Sequence, residues 1–267
     1  MSKKILAWNI NSATNRNIST PEFVGEEIKH QESEFIVLTE FCKTKNHEDF
    51  IQKYLIENGY DYILSNNLPK HNDILIAWKK DKYDITNKKE NILTNRTTPN
   101  FAYVVLKDKY GLEFVLAGVR ITIESYENRA KQFRLVLDSL KSFSRVVIGG
   151  DFNCLRRGTP ETNWNISLLS KMSKQDGFKL VTPNGQSIYA ERAINTDYEF
   201  AEDHFVIKGI EITNERYDRS FTDRYCDIYL HGRDFSIYDF GLKRNIWSVN
   251  VGSGIPDHAI LLATINW

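Results

Sequence analysis

Cysteine is scarce in this chain of 267 residues, with Cys42, Cys154 and Cys226 the complete set. An odd number without CxxC spacing excludes a disulfide framework and a zinc ribbon, and leaves free thiols of a reducing cytoplasm as the expectation. Long apolar runs are missing too. No stretch approaches the roughly 20 apolar residues that cross a bilayer. The opening Met1–Ala7 carries Lys3 and Lys4, but Asn9 and Asn11 interrupt its apolar run before a signal-peptide core forms. Net charge is also absent, 35 basic residues facing 35 acidic ones. A polyanion is therefore not attracted by a global positive field, although a bound metal supplies positive charge locally. Repeats, low-complexity tracts and Pro/Gly/Ser linkers do not occur, so residues 1–267 are expected to form a single domain, and a monomer.

What the chain does have is many short apolar, β-branched runs. Ile5–Ile10, Phe35–Leu38, Ile74–Trp78, Phe101–Leu106, Phe114–Ile121, Val146–Ile148, Phe205–Ile207 and Ala259–Ile265 are bounded by polar or glycine-containing segments and predict strands. Amphipathic stretches of helix length lie between them: Pro21–Gln31, His47–Asn58, Glu127–Phe143 and Asn165–Asp176. Strands interspersed with a few helices predict an α/β domain of layers, sheet in the middle and helices outside. Glu211–Gly254 mixes aromatics with charges and reads as an ordered surface excursion.

The polar residues at the strand ends carry the functional signal. The first strand ends Trp8-Asn9-Ile10-Asn11, and Phe35–Thr39 runs into Glu40. Val146-Val147-Ile148 leads to Gly149-Gly150-Asp151-Phe152-Asn153, and Asp257-His258 introduces the last strand. Oxygen ligands and amide donors converging from several strand ends are what a metal–phosphate site requires. In this order, spanning Ile5 to Ile265, the motifs resemble the endonuclease/exonuclease/phosphatase superfamily. Its members include DNase I, exonuclease III-type repair nucleases, neutral sphingomyelinases and inositol polyphosphate 5-phosphatases. An Asp-His pair alone is common, whereas GGDFN behind an apolar strand is far more specific.

The resemblance implies a four-layer α/β/β/α sandwich, two mostly antiparallel sheets packed face to face with helices outside. It also implies magnesium-dependent (or manganese-dependent) hydrolysis of a phosphate ester by in-line attack of an activated water. Glu40 would be the principal metal ligand, with Asp257 near the metal. Asn11 would reach the metal through water or simply cap a turn. Asp151 would orient or deprotonate the water, Asn153 would donate to a non-bridging phosphate oxygen, and Asn9 would donate to Asp151 or the phosphate. His258 would stabilise the developing charge and needs an acidic partner to hold its tautomer. Asp203, in Asp203-His204-Phe205-Val206-Ile207, fits the partner's strand best, and Asp227, closer in sequence to the final motif, is the alternative.

Arg120 departs from the pattern, standing where hydrolytic relatives usually show His or Tyr. A guanidinium keeps a bidentate phosphate donor but cannot protonate a leaving group at neutral pH. For the substrate, Arg16, Lys43, Lys45, Lys70, Arg156 and Arg157, with Trp164 and Trp247 for stacking, suggest nucleic acid, DNA ahead of RNA. No apolar loop suits a membrane. The alternatives are a phosphatase of a small molecule or lipid head group, and a binding module of impaired catalysis. An impaired module is expected to lose some of Glu40, Asp151, Asn153, Asp257 and His258, and the chain keeps them all.

Overall fold

A computed structural model describes residues 3–11, 19–65, 72–90, 98–156, 164–188, 201–225, 234–239, 244–249 and 256–267, with backbone only for 90, 234–239 and 244–249. Chain order among them is β1 (Lys3–Asn9), α1 (Glu22–Gln31), β2 (Phe35–Phe41), α2 (His47–Tyr54), β3 (Tyr60–Leu64), β4 (Asp73–Lys79), β5 (Tyr83–Glu90), β6 (Asn100–Asp108), β7 (Glu113–Arg120), α3 (Tyr126–Leu140) and β8 (Val146–Asp151). Then come α4 (Ile166–Gln175), β9 (Lys179–Val181), β10 (Asp203–Lys208), β11 (Glu211–Asp218), α5 (Ser220–Arg224), β12 (Asp234–Asp239), β13 (Arg244–Val249) and β14 (Ile260–Asn266).

Two six-stranded sheets result, ordered β11-β14-β1-β2-β4-β3 and β5-β6-β7-β8-β10-β9. Each contains one parallel pair, β1 with β2 and β7 with β8, and is otherwise antiparallel. The period-2 alternation of the strands accounts for the layers. Ile5, Val37, Ile76, Leu116, Val147, Phe205 and Leu261 share one core between the sheets. Their chain neighbours Leu6, Ile36, Leu75 and Leu262 pack on α1 and α2 through Val24, Ile28 and Phe50. Val115, Ala117, Ile148 and Val206 pack on α3 and α4 through Phe133, Val136 and Leu169. Three apolar layers between four layers of secondary structure give the α/β/β/α sandwich.

The expected strands and helices are present with shifted ends. The helix read over His47–Asn58 stops at Tyr54 and continues as a 3-10 turn, Ile56–Asn58. Glu211–Asp218, read as part of a surface excursion, is instead a strand paired to β14. Its exposed outward residues hid the alternation, because β11 is the edge of its sheet. No described helix is long and apolar enough to cross a membrane.

Candidate active site

Alternation also carries the polar residues to one end of the space between the sheets. Asn9 continues the inward row Ile5, Ala7. Arg120 continues Leu116, Gly118, Asp151 continues Val147, Gly149, and Asp203 precedes Phe205 and Ile207. The strand pairings align them, Arg120 opposite Asp151 and Asp151 opposite Asp203. At Gly150, φ is +144° and a Cβ would run into the Val119 carbonyl oxygen, so only glycine lets β7 and β8 pair this closely before Asp151. Glu40 is different. Strict alternation would send it outward with Ile36 and Leu38, but the β2–β4 register shifts between Leu38 and Phe41 and Glu40 takes φ +54°. The bulge turns its carboxylate inward.

The side chains form one connected set. Asn9 Nδ2 donates to Asp151 Oδ2 at 3.0 Å and to Glu40 Oε1 at 3.3 Å, and lies 3.4 Å from His258 Nε2. Asn11, at φ +50°, donates its backbone N–H to Asn9 Oδ1 at 3.0 Å and so fixes which way that amide faces. Asp151 further accepts Asn153 N at 2.8 Å and Asn153 Nδ2 at 3.0 Å. Arg120 Nη2 and Nε lie 2.6 and 2.8 Å from Glu40 Oε1, and its Nε is 3.7 Å from Asp151 Oδ2. His258 Nδ1 is 2.7 Å from Asp203 Oδ2. The partner of His258 in the structure is therefore Asp203, while Asp227 lies outside the described residues.

The electrostatics follow from burial. Asp151 is pushed up to about 6 by burial, with Asp203 and Glu40 adding to the rise and His258 and Arg120 opposing it. Burial likewise raises Asp257. It acts to lower His258, but Asp203, Asp257 and Asp151 outweigh it and hold the imidazole protonated well above its ordinary range. His204, the next residue on β10, faces the opposite layer between Cys154 and Thr182, and burial pushes it down to about 3. One strand thus makes a charged histidine's anchor on one face and a neutral packing histidine on the other.

No family model and no curated protein matches the chain. Solved structures do match it. A mannosyl-6-phosphatase of Bacteroides thetaiotaomicron aligns over 100% of both chains at 13% identity and TM-score 0.64. The D. rerio TDP2 complexed with a single-strand DNA product aligns over 100% of this chain and 99% of its own, at 13% identity and TM-score 0.63. A second B. thetaiotaomicron structure, an endonuclease/exonuclease/phosphatase family protein, aligns over 99% and 97% at 13% identity and TM-score 0.61. The fold is the endonuclease/exonuclease/phosphatase fold. At these identities the likeness is one of architecture, and the residues must speak for the chemistry.

The divalent cation that this fold implies suits the donors present. Glu40 and Asp257 offer hard carboxylate oxygens whose side chains are each 12% exposed. Ligand atoms of Asp151, Glu202 and His258 lie within 4.8 Å of one another. The carboxylates of Glu40 and Asp257 fit a hard divalent cation.

Several sequence readings change. Asn153 was expected to donate to a phosphate oxygen, yet its Nδ2 hydrogens go to Ile121 O at 2.7 Å and Asp151 Oδ2 at 3.0 Å. At φ +47°, both Nδ2 hydrogens are thus directed at groups of the protein, one of them Asp151. Trp164 is no stacking residue: it is 2% exposed, packs on Phe133 and donates Nε1–H to Phe152 O. Arg156 donates to the carbonyls of Pro183 at 2.8 Å and Gly185 at 2.5 Å. Lys43 lines a cleft with α2 residues, and Lys45 is exposed. Arg16, Lys70 and Arg157 lie outside the described residues, as does the Trp247 side chain.

Glu202 was missed. Its Oε2 is 4.0 Å from His258 Nε2, and burial first, then Asp151, push its carboxyl up to about 8. Its adjacency to Asp203 was the available signal, but alternation from Asp203 would have sent it away from the site. It lies before β10 begins, where its backbone N–H donates to Ser187 Oγ and its carbonyl accepts from Phe152 N. Arg129, one helical turn into α3, was missed as well, and its Nη1 donates to Asn153 O at 2.7 Å. Trp8 Nε1 donates to His258 O and Tyr217 Oη to Asp203 O, buttressing both members of the His–Asp pair.

Proposed function

We propose that the chain is a divalent-cation-dependent phosphoesterase that hydrolyses its substrate by in-line attack of water, and that the substrate is nucleic acid, DNA ahead of RNA. The observation that carries the reading is the hydrogen-bonded union of Asn9 from one sheet with Asp151 from the other, beside His258 tied to Asp203. Asp151 sits with three N–H donors around it and a carboxyl held near 6, suited to take a proton from a water and to hold that water in line. His258, anchored through Nδ1, presents Nε2 to the phosphoryl oxygens, where a protonated imidazole opposes the charge that develops. Arg120 adds a permanent positive charge on the same side. A cation held by Glu40 and Asp257 would polarise the phosphoryl group and acidify bound water. A cytoplasmic location is part of this proposal and rests on the sparse, odd-numbered cysteines without CxxC spacing, of which Cys154 is a buried thiol.

Nucleic acid is favoured by the single-strand DNA product held by TDP2 and by the exposed Lys43 and Lys45 in the loop that follows β2. A second reading, a small-molecule phosphomonoesterase, is supported by the full-length match to the mannosyl-6-phosphatase and by the engagement of Arg156 with loop carbonyls. Parallel assays with magnesium on single- and double-stranded DNA, RNA, an abasic duplex and inositol phosphates distinguish them. Cleavage of DNA that is abolished by EDTA and falls steeply with salt is expected. Fast turnover of an inositol phosphate with every nucleic acid intact moves the reading to the phosphatase. No hydrolysis of any of them, nor of a sugar phosphate, with magnesium or manganese moves the reading to the binding module.

A further inference from the structure

Glu40 is the carboxylate expected to hold the cation, yet in the structure it already has a cation. Arg120 Nη2 and Nε both converge on Oε1, at 2.6 and 2.8 Å, and Asn9 Nδ2 takes the same oxygen at 3.3 Å. The two side chains are only 14% and 12% exposed, so water screens the pair poorly. A divalent ion arriving at Glu40 meets two obstacles. It must share or displace the guanidinium on Oε1, and it must approach a fixed charge of its own sign. Arg120 cannot remove that obstacle by losing a proton, since a guanidinium stays charged. A different partner can draw it off. Phosphate oxygens match the planar N–H fork at least as well as one carboxylate oxygen does, and the neighbouring Asp151 and His258 mark where a phosphate would lie.

We infer that Arg120 is an internal competitor for the cation site: it holds Glu40 when no phosphate is bound and releases it to the metal when a phosphate group takes the guanidinium. Metal and phosphate then bind cooperatively, and by linkage each improves the other's affinity by the same factor. The inference rests on the phosphoesterase reading, because it takes Glu40 as a cation ligand and the adjoining space as a phosphate site. Its functional consequence is a site that stays weakly loaded with metal until substrate arrives.

Manganese binding, read as loss of the free-ion electron paramagnetic resonance signal, tests this without any turnover. The proteins are wild type, Arg120→Gln, Arg120→Lys, Glu40→Gln and the Glu40→Gln/Arg120→Gln double variant, each with and without inorganic phosphate, and each checked by thermal melting. Arg120→Gln is expected to bind manganese about tenfold more tightly than wild type, within the usual range of site coupling. Inorganic phosphate should tighten binding to wild type by a clearly larger factor than it tightens binding to Arg120→Gln, where only the direct attraction of the cation for phosphate remains. The gain should vanish in the double variant. Arg120→Lys keeps the charge and loses the fork, so an intermediate gain is expected, and this variant carries the test if Arg120→Gln does not fold. Manganese binding that needs Glu40 but is the same in wild type and both Arg120 variants overturns the inference alone. Binding indifferent to Glu40 in every protein overturns it together with the metal-dependent reading.

Discussion

The two sheets deliver their site residues by different means. In the sheet containing β7, β8 and β10, Arg120, Asp151 and Asp203 arrive by plain alternation, and the only irregular backbone on the way is glycine, at Gly150. In the sheet containing β1 and β2, Asn9 arrives by alternation, but Glu40 needs a bulge and a left-handed conformation, and Asn11 needs another. Non-glycine residues in that region each cost about 1–3 kcal/mol unless their surroundings hold them there. The Glu40 surroundings are Arg120 and Asn9. One half of the site is set by strand geometry, whereas Glu40 in the other is held by Asn9 of its own sheet and by Arg120 of the opposite one. The left-handed conformation of Glu40 thus depends on contacts that alternation does not supply.

If the alternating half carries the chemistry, its polar atoms should matter most. Asp151→Asn and His258→Ala are each expected to lower the rate of phosphate ester hydrolysis by about 10²–10⁴ while the thermal transition is retained. A variant that loses the transition along with activity has lost a packing residue, and the assignment of roles would be wrong. Glu40→Gln is expected to lose metal affinity and rate together, because the shape is kept and the charge is not.

The comparison breaks if Gly150 tolerates a side chain. Gly150→Ala places a methyl group against the Val119 carbonyl at φ +144°, and a loss of at least about 3 kcal/mol in chemical denaturation is expected from the clash and the strained backbone together. A change below about 1 kcal/mol would show that β8 is as adaptable as β2 and that the two sheets do not differ in kind.

The same asymmetry decides what the sequence made legible. Asn9, Asp151 and Asp203 were named from the resemblance, Asp203 with Asp227 left as the alternative, and each also stands in step with an apolar row, a local rule that points the same way. Glu40 was identified from its position in a resemblance, since alternation alone points it to the helix side. Glu202 escaped because its direction is set by hydrogen bonds to Ser187 and Phe152, residues 15 and 50 positions away. The commitment of Asn153 to Ile121 O was equally invisible, being a contact between two strand ends. β11 was misread because an edge strand need bury only one face. Whatever depended on one strand's own period was readable, and whatever depended on which backbone groups meet across the fold was not.

A pH series sharpens the contrast, because the carboxyls Asp151 and Glu202, raised to about 6 and about 8, both belong to the β8–β10 side. The folded protein keeps protons on them that the unfolded chain releases near 4. Without metal, this stabilisation is fully present below about pH 4 and is lost as pH rises through about 6 and then about 8. Each proton by which the states differ gives a slope of about 1.4 kcal/mol per pH unit. Denaturation curves in EDTA should therefore show stability falling over that window, and Glu202→Gln should flatten its upper part. Magnesium at the alkaline end should restore stability by neutralising the released carboxylates. A metal-free protein whose stability rises from pH 5 to pH 8 would contradict this picture.

The smallest effect is expected at Asn11, and it tests whether the left-handed residues of the first sheet are there for their backbone. Asn11 fixes Asn9 through its main-chain N–H, at φ +50°. Glycine keeps that N–H and adopts this φ freely, although it has more conformational entropy to lose on folding. The two terms nearly cancel, so Asn11→Gly should stay within about 0.5 kcal/mol of wild type. If the side chain is not itself needed at the cation, its rate should hardly change. Asn11→Val is the contrasting case, because a β-branched residue is a genuine outlier at positive φ. Valine should cost about 1–3 kcal/mol or drive the backbone elsewhere, turning the Asn9 amide away from Asp151 and slowing hydrolysis. Equal behaviour of the two variants would mean that the Asn9 amide is held by Asp151 and Glu40 alone. A rate lost in Asn11→Gly at unchanged stability would place the Asn11 side chain at the cation instead.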